Sequence, residues 1–258
     1  MARRIRNLVI AIIILNIIWY LAAIAISKDI LPNPFTVYAI IPSLFKENIS
    51  LDIYASVYRV FWGLLSATLV GVIIGIMIVR LPKFGRIANP MLYFLYPIPK
   101  ISLLPILMLF LGLGESSKIG MLFLANVFQV IVSVRDQVRQ IPGDLYSSLH
   151  VLKASHWQIF KYVTWPASIA GTLSAVRIEL SASFAILFMT EVYGTQVGLG
   201  YYIMDEWSKM EYTKMYAGIV ILSIVAFILF IILELLDAHC NRWRKKDDPL
   251  FWLFVKSC

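Results

Sequence analysis

The chain has 258 residues, 60% hydrophobic, 14% aromatic and only 15% charged, with a formal net charge of +8 and a mean hydropathy of +0.80. A soluble domain is about 45–50% apolar and about 25% charged, so disorder, collagen, coiled coil and a small disulfide scaffold are excluded, and lipid is the implied solvent. The excess of Lys and Arg, 23 against 15 acidic residues, fits a membrane protein that keeps its cations on one side; no nucleic-acid partner is expected.

A spanning helix needs about 20 mostly apolar residues. In chain order, six segments qualify: about 8–26, 57–79, 90–111, 118–134, 167–189 and 214–236. Residues 1–258 are therefore predicted to form a single all-α, polytopic transmembrane domain. A β-barrel is excluded, because these runs are continuous rather than alternating. The first segment follows Arg3, Arg4 and Arg6, and Ala23-Ile24-Ala25 resembles a signal cleavage site. Its apolar run is longer than a signal core, which predicts a retained helix. The connection at about 27–56 contains Pro32, Pro34 and Pro42 and is expected to be part irregular, part interfacial helix.

With the N-terminus placed inside, the inner segments carry 15 Lys and Arg and the outer ones 5. This asymmetry predicts that both termini are cytoplasmic. Trp19, Tyr20, Tyr54, Tyr58, Tyr201 and Tyr202 then fall near outer ends, where aromatic belts form.

Arg59, Lys100 and Arg177 lie within predicted spans, where a charge costs about 2.5–3.5 kcal/mol on insertion scales and usually faces the bundle interior. Lys100 follows Pro97-Ile98-Pro99, which must disrupt the helix and free carbonyls. It either lines a pathway or satisfies those carbonyls. Arg177 either meets an anionic solute or bonds a neighbouring helix or subunit. Glu179, two residues on, lies on a different face and needs a partner. Gly71 and Gly75 form a GxxxG that permits close helix approach, within the subunit or at a dimer contact. Asn126 and Gln129 are expected to bond between helices. Glu191 opens an outer stretch with Gly194, Gly198 and Gly200: a re-entrant or gating loop, or a plain turn.

The inner connection, about 135–166, carries an apolar-faced helix at about 144–160. Asp144 is its expected N-cap after Pro142-Gly143. Tyr146, Leu149 and Leu152 recur at helical spacing, Lys153-Ala154-Ser155 reads as a turn, and Pro166 is expected to end the pattern. The apolar face either packs on the chain itself or on lipid, or enters a partner's groove through i, i+3, i+4 anchors. The tail from His239 is charged and ends in the apolar run Leu250–Phe254, expected on the membrane surface or on a partner.

Cys240 and Cys258 form no CxxC, and His150, His156 and His239 lack ligand spacing. The stretch Gly112 to Lys118 mimics a phosphate loop, but it lacks the glycine before the lysine.

Residues 147–166, SSLHVLKASHWQIFKYVTWP, resemble the signature of binding-protein-dependent ABC importer permeases: Glu-Ala-Ala, three residues, Gly, about nine residues, then Ile-x-Leu-Pro. Leu152 to Phe160 and Pro166 agree. The family's Glu-Ala-Ala is Ser147-Ser148-Leu149 here, and its glycine is Lys153, which implies a different turn or a strained one. The resemblance continues through Arg177 and Glu191 to Gly198-Leu199-Gly200-Tyr201. Upstream, Leu31 to Val37, Tyr96 to Pro105 and Phe110 to Lys118 resemble the nitrate, sulfonate and taurine branch. It covers about residues 30–240.

This resemblance implies a type I ABC importer permease fold in the plasma (inner) membrane. It implies two copies of an ATP-binding subunit, a second permease subunit expected to be an identical copy, and an extracytoplasmic solute-binding protein. Catalytic, cofactor and metal residues are expected to be none in this chain, with ATP and Mg bound by the partner ATPase. Ser147, Leu149, Leu152, Lys153, Ala154 and Ser155 become the ATPase-coupling candidates, and Lys100, Arg177 and Glu191 the translocation-pathway candidates. The implied substrate is a small anion such as nitrate, a sulfonate or taurine. A pyrimidine-type vitamin precursor is the alternative within the branch. A self-powered secondary transporter is the alternative outside it, although no ion-coupling site or inverted repeat is visible.

Overall fold

Backbone polar groups in hydrocarbon must be satisfied within the chain, which leaves helices as the solution for continuous apolar runs. The computed structural model describes residues 2–26 and 30–240, and the regular elements among them are all helical. The helices are α1 (Ala2–Ile26), α2 (Pro34–Lys46), α3 (Ile49–Arg80), α4 (Pro82–Leu95), α5 (Leu104–Leu111), α6 (Glu115–Arg139), α7 (Gly143–Val151), α8 (His156–Ile159), α9 (Trp165–Val192), α10 (Leu199–Ser208) and α11 (Tyr212–Cys240). The charged tail, with Leu250–Phe254, lies outside the described residues, as does Lys28.

Among the described residues, five helical stretches are long and apolar enough to cross a membrane, and a bent pair makes up to six. The bent pair corrects the expected continuous span at 90–111. Pro97 and Pro99 cannot donate a backbone N–H, so α4 stops at Leu95 and a 3-10 turn, Lys100–Leu103, restarts the chain. The two halves meet at 89°. The expected interfacial helix before α3 is α2, capped by the Asn33 side chain, which accepts from Phe35 N–H at 2.9 Å.

Pro166 does not end the coupling helix. A π turn, Phe160–Thr164, leads directly into α9, so His156–Val192 is one 37-residue helical stretch. Proline clashes with the carbonyl four residues back. The wider π register next to it, with Trp165 N–H donating to Phe160 O, moves the bonding away from that clash.

The chain divides into two compact units. One comprises the chain up to Tyr58 together with Phe188–Ala238. Its core joins Val37, Leu44 and Ile49 to Leu199, Ala217 and Ile221. Trp19 of α1 meets Tyr38 edge-on at 6.0 Å and Tyr216 at 5.8 Å.

The other unit, Arg59–Leu187, is organised around α6. Gly63, Ala67, Gly71 and Gly75 recur every fourth residue on α3 and form one flat stripe against it. A Cβ at Gly63 would stand 2.4 Å from Leu122 Cβ, one at Gly71 2.7 Å from Val130 Cβ, and one at Gly75 2.9 Å from Val134 Cβ. Ala67 is fully buried with Val127 and Ile131. The GxxxG is thus spent within the subunit, where it lets two backbones close up. On its other side α6 meets α9: a Cβ at Gly171 would stand 2.7 Å from Gln137 Cβ, and Ser183 donates to Asn126 Oδ1 at 3.1 Å. Gln129 instead accepts from the Tyr96 hydroxyl at the bend.

Candidate functional site

The coupling candidates form one short, well-punctuated segment. In α7 the Ser147 and Ser148 hydroxyls donate back to the Gly143 and Asp144 carbonyls at 3.2 and 2.8 Å, so neither reaches outward for a partner as a glutamate could. The helix ends in a Schellman turn. Lys153 takes φ +55°, and Ala154 N–H donates to Leu149 O at 3.0 Å. The family glycine's backbone shape is therefore kept by a lysine. Ser155 then opens α8 with a capping box: its Oγ accepts from Gln158 N–H at 3.2 Å, and its own N–H donates to Gln158 Oε1 at 2.7 Å.

A non-glycine residue in this conformation costs about 1–2 kcal/mol, partly offset by glycine's greater unfolded-state entropy. Lys153→Gly is expected to stabilise the protein by up to about 1 kcal/mol, about 2–4 °C in a melt of a domain this size. An unchanged or lower Tm in detergent would contradict the left-handed turn.

The apolar residues of this segment split. Tyr146 and Leu149 are half-buried, whereas Leu145 is 45%, Val151 82%, Leu152 76% and Trp157 67% exposed. Trp157 stacks on Phe160 at 5.5 Å, and Ile159 is buried. These outward apolar side chains thus flank the left-handed turn and the capping box.

The three charged candidates lie apart in function. Lys100 donates its ammonium to the Tyr96 carbonyl, freed at the bend. It also lies over the Tyr96 and Phe128 rings at 5.1 and 5.4 Å. Glu179 of α9 is within electrostatic range of it. Arg177 is half-buried on α9. Glu191 is fully buried and serves the start of α10. Its carboxylate accepts from Gly200 N–H at 2.7 Å and from the Ser56 hydroxyl at 2.8 Å. Ser56 Oγ in turn accepts from Leu199 N–H at 2.9 Å, and Asp52 accepts from Gly198 N–H at 2.8 Å.

Three successive N–H groups at a helix start are thus met by side chains, two of them anionic, which also suits the helix dipole. Gly198 has φ +132°, and a Cβ at Gly200 would stand 3.0 Å from the Phe188 backbone. The motif's glycines therefore serve this close approach. Ser56→Ala removes the acceptor of Leu199 N–H and a donor to a buried carboxylate. It is expected to cost about 1–3 kcal/mol, read as a fall in Tm, and no fall would refute the clamp.

Sequence reasoning placed Arg59 within a span without naming its partner, and missed that Lys118 is buried. Arg59, 1% exposed, holds Glu115 through two bonds, Nε–Oε2 at 2.7 Å and Nη2–Oε1 at 2.6 Å. Lys118, fully buried, donates to the Leu113 and Gly114 carbonyls at 2.6 and 3.1 Å. The signal was present in α3: Asp52, Ser56 and Arg59 recur at i, i+4, i+7 on an otherwise apolar helix.

Comparison with known proteins agrees with this architecture. Residues 67–242 match the family described as "Binding-protein-dependent transport system inner membrane component". The chain is 28% identical to the putative aliphatic sulfonates transport permease protein SsuC of Bacillus subtilis (strain 168), over 86% of this chain and 81% of that one. It is 26% identical to the taurine transport system permease protein TauC of Escherichia coli (strain K12), over 90% and 87%. It is 27% identical to the nitrate import permease protein NrtB of Synechocystis sp., over 86% of each.

Among solved structures, the fold is shared with the MetNI methionine ABC transporter in an inward-facing form (TM-score 0.64, 21% identity, 74% of this chain and 95% of that one). It is also shared with a bacterial ABC transporter that imports alginate (TM-score 0.65, 15% identity, 92% and 97%). With its described residues helical, up to six candidate spans among them and a family match over residues 67–242, the chain belongs to the binding-protein-dependent transport system inner membrane components, as an ABC importer permease subunit.

Proposed function

We propose that this permease carries a small anion of the sulfonate, taurine or nitrate kind, and that a separate ATP-binding subunit drives it by docking on α7 and α8. The observation behind the docking is the exposed apolar set Val151, Leu152 and Trp157 on an element held by a Schellman turn and a capping box. A groove on the ATPase receives these anchors as it would any amphipathic helix. Because α8 runs unbroken into α9, a displacement of the docked end reorients a spanning helix, the kind of motion that switches access. The excess of cations on the segments facing the ATPase, and both termini there, follow the charge bias of the sequence.

Lys100, Arg177 and Glu191 divide the remaining work. Arg177 is assigned to the solute pathway, Lys100 to closing the broken span, and Glu191 to fixing α10. A solute-binding protein delivers the anion, and a second permease copy completes the pathway.

The test is reconstitution in vesicles with the ATPase and binding protein encoded beside it, followed by uptake of labelled taurine, an alkanesulfonate and nitrate. ATP-dependent accumulation of one of them is expected. Accumulation driven by an ion gradient with no ATPase present would overturn the reading.

A further inference from the structure

A cavity of about 510 Å³ lies among the last turns of α3, the start of α4 and the end of α6. Arg86, Asn89 and Arg139 supply its polar lining, and Val79, Pro82 and Pro90 an apolar part. Among the described residues no carboxylate lines it. Among the described residues, Arg86 and Arg139 have no hydrogen-bonded or ion-paired partner, and both are exposed. The cavity therefore holds two arginine forks whose charge the described residues leave uncompensated.

Three further observations point the same way. The start of α4, whose Pro82, Gly85 and Arg86 line the cavity, has no side-chain cap and no acidic residue in its first turn, so no side chain there opposes an anion. Gly85 sets this geometry: a Cβ there would stand 2.4 Å from Ile78 O, so only glycine lets α4 fold back so closely on α3. Asn89 is held in place, donating to Gly85 O at 2.6 Å and accepting from Arg135 Nη1 at 3.2 Å.

We propose that this cavity binds a phosphate-bearing anion, the head group of an anionic phospholipid such as phosphatidylglycerol. Guanidinium forks match phosphate oxygens two at a time. The cavity lies where α3 and α6, both candidate spans, end at Arg80 and Arg139, the depth of lipid phosphates. It is open on one side, and Val79, Pro82 and Pro90 beside the arginines suit a glycerol and acyl start. Basic pockets between spanning helices hold anionic head groups in this way. Free inorganic phosphate offers the same forks the same oxygens, without the apolar portion.

The full chain, purified in mild detergent, is titrated with phosphatidylglycerol, with phosphatidylcholine and with sodium phosphate, and read by native mass spectrometry and thermal melting. The expected result is a preference of about tenfold or more for phosphatidylglycerol over phosphatidylcholine, with a rise in Tm that phosphate does not reproduce. Arg86→Gln with Arg139→Gln is expected to erase the preference, Arg139→Lys to weaken it, and Lys46→Gln to leave it intact. Equal uptake of the two lipids by the unaltered chain overturns the proposal, whether or not the double variant folds. So does a preference that survives the double variant. Equal protection by phosphate alone assigns the cavity to a free anion and overturns the lipid assignment.

Discussion

Gly71→Leu is expected to abolish recovery of folded protein. At this position even a single Cβ would stand 2.7 Å from both Cβ and Cγ1 of Val130, closer than carbon atoms approach. The neighbour is a β-branched side chain on a buried helix, and its χ1 is stiff. The leucine therefore cannot be admitted by a rotamer change; α3 must move off α6. Overpacking a dense core costs about 1–3 kcal/mol for a few added methylenes, and here the whole side chain is in excess. The same stripe carries Gly63, Ala67 and Gly75, so one displaced rung strains three others. Against a total stability of about 5–15 kcal/mol, loss of the native bundle is the expected outcome, seen as aggregation on size exclusion. Gly114→Ala is the control, because a Cβ there meets nothing within 4 Å. Gly71→Leu protein that elutes as a sharp peak with an unchanged Tm would show that α3 and α6 do not meet as described.

Leu152→Asp is expected to have the second-largest effect, on partnership rather than on folding. Leu152 is 76% exposed, so the carboxylate stays in water in the free permease and its Tm should hold. On the proposed docking it enters an apolar groove. Central anchors of this kind cost about 2 kcal/mol or more when removed, about 30-fold in affinity, and a desolvated charge adds to that. Co-purification of the ATPase should be lost, together with ATP-dependent uptake. Trp157→Asp should behave alike. Leu149→Asp is a poorer probe, because its half-buried side chain makes a fall in stability hard to separate from a fall in docking. Full co-purification by Leu152→Asp protein of unchanged Tm would remove α7 from the docking surface.

The spans were legible because hydropathy over about 20 residues is a local property. Their outer limits were not, since α3 extends from Ile49 well before its apolar run begins. The prolines at 97 and 99 announced a break but not its 89° angle, which depends on what the two halves pack against. Gly71 and Gly75 stood out as a motif. Gly63 and Ala67 belong to the same stripe and are recognised only once α6 lies against them. Lys153 was marked as a departure from a glycine, and the left-handed turn answers the question its presence raised. Pro166 misled, because a local rule about proline gave way to a π turn. Glu191 and Arg59 were hardest to place: their partners lie 135 and 56 residues away in the chain, and no local pattern encodes such pairings.

The unbroken run from His156 to Val192 sets how force travels. At 1.5 Å per residue it is about 55 Å long, with the π turn and Pro166 near the end that carries Trp157. On the docking proposed above, a push received beside Trp157 enters the same continuous backbone as the candidate span itself, with no loop between them to absorb it.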